Sequence, residues 1–255
     1  KYYQEYIAAS NSNSTSEYNP LAPVYLGLEL EYEVNDDYDR DEVVASSIMP
    51  LLYQHGVCKS DGSLDHGIEL VTVPAVNDEH VKALTPLFTN FPTELSAEDT
   101  CGLHIHISRA PFNLPTQGRM SAFMNNPHNA DFLQNIGGRE FNSYAKQDTY
   151  RSVSSILRRG GERYNVLNLN NSDTLEFRLF QGTSNFNKIK RSMQFCLALA
   201  EYCKNLTMNI KEFTKHENFT KWLSTQRKVY PELTDFLIPR KPIPQEYRKN
   251  VNQNV

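Results

Sequence analysis

Between residues 24 and 34 apolar and charged positions alternate with period two, setting Leu28, Leu30 and Tyr32 against Glu29, Glu31 and Glu33. Successive side chains of a strand point to opposite faces, so this spacing predicts a half-buried strand with three carboxylates on one face. Gly102 to Ser108 repeats the arrangement, with Leu103, Ile105 and Ile107 against His104 and His106. Thr174 to Gln181 sets Leu175, Phe177 and Leu179 against Glu176 and Arg178. Shorter strands are predicted over 57–59 and 68–73, around the turn chemistry of Asp61-Gly62-Ser63 and His66-Gly67, and over 165–169.

Helical spacing takes over elsewhere. Residues 41–54 read as a helix running up to or through Pro50 and ended by Gly56. Val81, Leu84, Leu87 and Phe88 predict a helix over 78–88. A strong helix is expected over 188–206, with Ile189, Met193, Cys196, Leu197, Ala200 and Cys203 toward the core. Residues 120–144 are mixed, because Pro127, Gly137 and Gly138 break any long helix. Ser/Asn-rich residues 11–16 precede Pro20 and Pro23, which is loop chemistry. The chain therefore divides into an N-terminal polar segment (1–23), a main domain (24–210) and a C-terminal helical appendage with a tail (211–255). The expected fold class is α+β: a curved, mainly antiparallel sheet lining a trough, with helices on its outer face.

Composition narrows the function classes. At 255 residues the chain can bury a full core. Lys plus Arg number 26 against 30 Asp plus Glu, a net charge of -4, so the surface is not built to neutralise many phosphates and nucleic acid is not the expected partner. Cys58, Cys101, Cys196 and Cys203 form no Cys-x-x-Cys pair, which argues against a disulfide framework or a thiolate zinc site and for a reducing, cytoplasmic setting. No apolar run reaches the ~18 residues of a membrane span.

Glu29, Glu31, Asp61, Glu69, His104, His106, Glu176 and Arg178 are the candidate chemistry. Carboxylates crowded on one face repel unless a cation sits between them, and oxygen ligands with an occasional imidazole suit magnesium or manganese. Arg151 and Arg158, with Arg159 and Arg163, form a basic stretch that could meet phosphate or simply end a solvated helix. Each motif alone has a plain structural explanation: a solvated strand face, a turn, a same-face salt bridge. Their recurrence on four predicted strands is what points to a site.

Gly27-Leu28-Glu29-Leu30-Glu31, Asp61-Gly62-Ser63 with Glu69, Gly102-Leu103-His104-Ile105-His106 and Thr174-Leu175-Glu176-Phe177-Arg178 resemble, in order, the motifs of the putative amidoligase family. That family is placed in the carboxylate-amine ligase superfamily with glutamine synthetase and glutamate-cysteine ligase. The resemblance implies a glutamine synthetase-like catalytic domain that joins a small amino acid, peptide or protein carboxylate to an amine through an acyl phosphate, using ATP and Mg2+ or Mn2+. It implies one ion held by Glu29, His104 and Glu176 and another by Glu31, Asp61 and Glu69. Catalytic roles fall to Arg178, Glu69 and Glu176, and ATP contacts to His106 and Arg178, with Arg151 and Arg158 as further candidates. Substrate choice would lie in loops at 110–118 and 127–140, and the protein would be a monomer or dimer. Two other readings share part of the pattern. A metal-dependent amidohydrolase would use the His-x-His pair but needs further histidine ligands, for which only His128 and His216 remain on later elements. A catalytically inactive module of the same fold could serve a structural or binding role in a larger assembly.

Overall fold

The computed structural model describes residues 17–52, 54–60, 62–149, 162–204 and 213–239. Its centre is an open antiparallel sheet of seven strands, and the molecule is α+β. The strands are β1 (Leu26–Val34), β2 (Gly56–Lys59), β3 (Gly67–Thr72), β4 (Leu95–Ser96), β5 (Gly102–Ser108), β6 (Leu167–Asn168) and β7 (Thr174–Gln181). They are ordered β2-β3-β1-β5-β7-β6, and β4 pairs with the end of β1.

The alternation in the sequence becomes a division between faces. Leu26, Leu28, Leu30, Tyr32 and Val34 of β1 are buried, as are Leu103, Ile105 and Ile107 of β5 and Leu175 and Phe177 of β7. Register aligns these apolar positions, pairing Leu30 with Leu70, Leu28 with Ile105 and Ile105 with Phe177. The period breaks once. Leu103 pairs with Phe180 and Ile105 with Phe177, so His104 faces both Arg178 and Leu179 across a bulge, and Phe180 takes the apolar pairing expected for Leu179.

Helices complete the core. Helical turns run through α1 (Arg40–Val43), a π-helical stretch (Val44–Ile48) and α2 (Met49–Leu52). Pro50 has no N–H for the carbonyl four residues back, and the widened turns carry the helix past it. Gly56 does not end this helix. The turn is made by Gln54, whose φ is 73°, while Gly56 opens β2, where a Cβ would lie 2.6 Å from the Val71 carbonyl oxygen. Next come α3 (Asn77–Thr89), α4 (Leu114–Met124), α5 (Ala130–Gly137), α6 (Phe186–Lys204), α7 (His216–Leu223) and α8 (Pro231–Leu237). The helix α6 packs against β5 and against α3, α4, α7 and α8, with Ile189, Met193, Cys196 and Cys203 fully buried. Phe219, Leu223 and Leu233 of the C-terminal helices join the same hydrophobic cluster as the sheet. Burying each such side chain contributes about 1.5–3 kcal/mol. None of the four cysteines is in a disulfide. Among the described residues no helix is long and apolar enough to cross a membrane.

Candidate functional site

The polar face of the sheet collects the charged residues, and register decides who meets whom. Glu31 stands opposite Glu69, Glu29 opposite His104, and His106 opposite Glu176, which in turn faces Asn168. Strand partners of this kind bring side chains to within about 5 Å at Cβ, so five elements converge on one patch. Glu31, Glu69, His104, Glu176, Arg178 and Asn168 are all buried.

Glu29 lies between two imidazoles, its Oε2 3.3 Å from His104 Nδ1 and its Oε1 3.2 Å from His106 Nε2. Burial works to raise its pKa, but the hydrogen bond to His104 and the close contact with His106 outweigh burial and hold it well below the usual carboxylate range. Burial works to lower His106, yet its close contact with and attraction to Glu29, helped by Glu176, leave the imidazole above its ordinary value. The other ring nitrogen of His106 meets Thr174 Oγ1 at 3.0 Å. One atom each from Glu29, His104 and Glu176 lies within 4.8 Å of the other two, the spacing of donors around a shared cation.

Glu176 is oriented from both sides. Arg178 donates to its Oε1, and Asn168 Nδ2 donates to its Oε2 at 2.7 Å. Arg178 is itself held by the Tyr144 carbonyl, 3.3 Å from Nε, and its guanidinium sits 5.6 Å from the Tyr164 ring centroid. The bulge opposite His104 keeps Arg178 beside that ring, with Nη1 3.5 Å from His104 Nδ1. Gly102 N–H donates to Glu31 Oε2 at 2.5 Å, and any Cβ there would approach both Glu31 and His104. Lys59 Nζ is 4.0 Å from Glu69 Oε2.

No family model matches this chain, and a search of curated proteins finds no relative. The motif resemblance therefore stands on the motifs, and the site on its geometry.

Glu29, His104 and Glu176 form a group that could hold a metal ion, with Arg178 and His106 against it; Glu31 and Glu69 sit across from each other on the same face, outside that group. Asp61, Arg151 and Arg158 lie outside the described residues. Contrary to expectation, the crowded carboxylates do not require a cation between them, because imidazoles, a guanidinium, an amide and a backbone N–H already partner Glu29, Glu31 and Glu176. Glu33 serves the backbone: it accepts from Asp65 N at 3.1 Å and His66 N at 3.0 Å. The expected substrate loops are largely helical. Asn113 caps α4 by accepting from Thr116 N at 2.9 Å, and 127–140 holds a 3-10 turn and α5. An Asn followed by Pro two residues later was the available signal for α4.

Sequence reasoning missed Gly102, Thr174 and the Tyr144–Tyr164 pair as parts of the site. Gly102 and Thr174 stand two residues before His104 and Glu176, so the period-two spacing was their available signal, whereas nothing in spacing marks the tyrosines. His128 and His216 do not join His104; they gather with Glu217 in a group that contains no strand residue.

Proposed function

We propose that this chain is an ATP-dependent carboxylate-amine ligase of glutamine synthetase-like fold, forming an amide or peptide-like bond. The observation that carries the reading is the convergence of Glu29, His104 and Glu176 within 4.8 Å on one sheet face, with Arg178 beside them. Two carboxylates and one imidazole, backed by Glu31 and Glu69 next to them, are the donor set of a magnesium- or manganese-class ion. Glu29, His104 and Glu176 would hold one ion, and Glu31 and Glu69 a second. Bound cations would offset the repulsion between ATP phosphates and an acceptor carboxylate.

The chain's own residues have definable tasks in this reading. Arg178 would donate to the transferring phosphoryl group, with its guanidinium pre-oriented by the Tyr144 carbonyl and the Tyr164 ring. Asn168 fixes the rotamer of Glu176, and Gly102 N–H fixes Glu31. His106, protonated more readily than an ordinary imidazole, would place positive charge toward phosphate. Arg178→Lys keeps the charge and loses the planar fork, so it should lower turnover more than nucleotide affinity.

One observation favours a second reading, an inactive ligase-fold module. The patch is internally neutralised enough to persist without a cation, since Glu29 and Glu176 each have cationic or polar partners. Calorimetric titration with a non-hydrolysable ATP analogue separates the two. Binding that requires magnesium, and that disappears in Glu29→Gln and Glu176→Gln, supports the ligase. A folded wild-type chain that binds no nucleotide would leave the module reading in its place.

A further inference from the structure

A second group of donors is assembled away from the strands. His128 sits in the 3-10 turn Pro127–Asn129, while His216 and Glu217 open α7. Their juxtaposition rests on Asn129, which is fully buried. Its Nδ2 donates to the Phe123 carbonyl at 2.9 Å and the Thr214 carbonyl at 2.7 Å, and its Oδ1 accepts from His216 N at 3.0 Å. A buried amide satisfied on both sides pins the turn to the start of α7.

The rings are held as well. His216 stacks on Phe132 at 4.7 Å with a 19° interplanar angle, and on His128 at 5.3 Å with 28°. His216 Nδ1 lies 3.3 Å from Asn129 Oδ1, so the same buried amide also holds the ring. His128 Nε2 is 2.8 Å from Glu217 Oε1, and His216 Nδ1 is 3.7 Å from Glu217 Oε2. One nitrogen from each ring and one carboxylate oxygen fall within 4.8 Å of one another. A surface ion pair would account for His128 and Glu217. It does not account for a second imidazole stacked on the first and supported by a buried amide.

We propose that His128, His216 and Glu217 bind a zinc-class divalent cation, with the remaining coordination position open to water. Two imidazoles and one carboxylate favour zinc, cobalt or nickel over magnesium. Zinc bonds of about 2.0–2.1 Å in a tetrahedron set donors roughly 3.3 Å apart. The His128–Glu217 pair at 2.8 Å would therefore open slightly while the remaining donors, within 4.8 Å, close around the ion. The ion would clip the turn before α5 to the first turn of α7, joining parts of the chain 88 residues apart in sequence from His128 to His216.

The experiment is zinc titration by calorimetry on the full chain, with cobalt absorbance in the visible as a second readout of the same site. Wild type, His128→Gln, His216→Gln and Glu29→Gln are compared. His128→Gln and His216→Gln should each lose one zinc equivalent, or bind it at least ~10-fold more weakly, and lose the matching cobalt bands. Glu29→Gln, in the sheet, should retain that equivalent. Because His128 is exposed, its variant reports on the ion and leaves the fold intact. Zinc binding unchanged in both histidine variants overturns the proposal. So does the loss in Glu29→Gln of the same equivalent that the two histidine variants lose, or a wild type that binds zinc no more tightly than about 1 mM.

Discussion

The two histidine-glutamate clusters of this molecule are built by opposite means. Glu29, His104 and Glu176 are placed by strand register, with His104 and Glu176 buried and Arg178 and Asn168 locked around them. His128, His216 and Glu217 are placed by one buried amide, and their side chains are half open to water. A rigid, largely desolvated cluster makes removal of one partner costly and strengthens the electrostatic interactions within it. An exposed cluster on a turn and a helix end costs little to disturb and gains its worth only from what it binds.

Removing a member of the buried cluster should have the largest effect. Glu176→Ala strands the Arg178 guanidinium, 6% exposed, and should lower stability by about 3–5 kcal/mol in chemical denaturation. A cost under about 1 kcal/mol would mean the pair is solvated, as at a surface. Asn129→Ala removes the amide that organises the other cluster and should cost about 1–3 kcal/mol. The same variant should lose the zinc site, which a purely structural asparagine would not take with it.

The pH dependence sharpens the contrast further. Glu29 is held below its ordinary value, so its stabilisation is present above the unfolded carboxylate pKa and is lost as pH falls through the folded one. His106 is raised, so its stabilisation is complete below the unfolded imidazole pKa and is lost as pH rises through the folded one. In protein kept free of divalent ions, wild type should exceed Glu29→Gln most between about pH 4.3 and 6.5, with the gap narrowing on both sides. A gap independent of pH in urea titrations would dissociate Glu29 from the two imidazoles. The smallest effect belongs to the exposed cluster: without zinc, His128→Gln should change stability by no more than about 1 kcal/mol. Only in the presence of zinc should thermal melting separate it from wild type.

How far each cluster was legible follows from the same difference. Period-two alternation places Glu29, His104 and Glu176 on strand faces directly, because a strand has only two faces. Register then does most of the remaining work, and in-order motifs supply a guess at it. The bulge between His104 and Arg178 breaks that period and leaves no mark in composition. The close approach of Gly102 to Glu31 is likewise a tertiary fact that no local pattern encodes. His128 and His216 lie in helical and turn segments with no shared period, so only the Asn129 bridge shows that they meet. The substrate loops expected at 110–118 and 127–140 hold helices: Asn113 caps α4 and Asn126 caps the 3-10 turn that leads into α5, cues outweighed by the prolines and glycines nearby.

The proposed ligase depends on a divalent cation held on the sheet face by Glu29, His104 and Glu176. Manganese titration followed by electron paramagnetic resonance tests it most directly, comparing wild type with Glu29→Gln and Glu176→Gln at matched salt. The account expects bound manganese in wild type that is lost in both variants and kept in His128→Gln. Manganese bound equally by all four proteins, or by none of them, would contradict it.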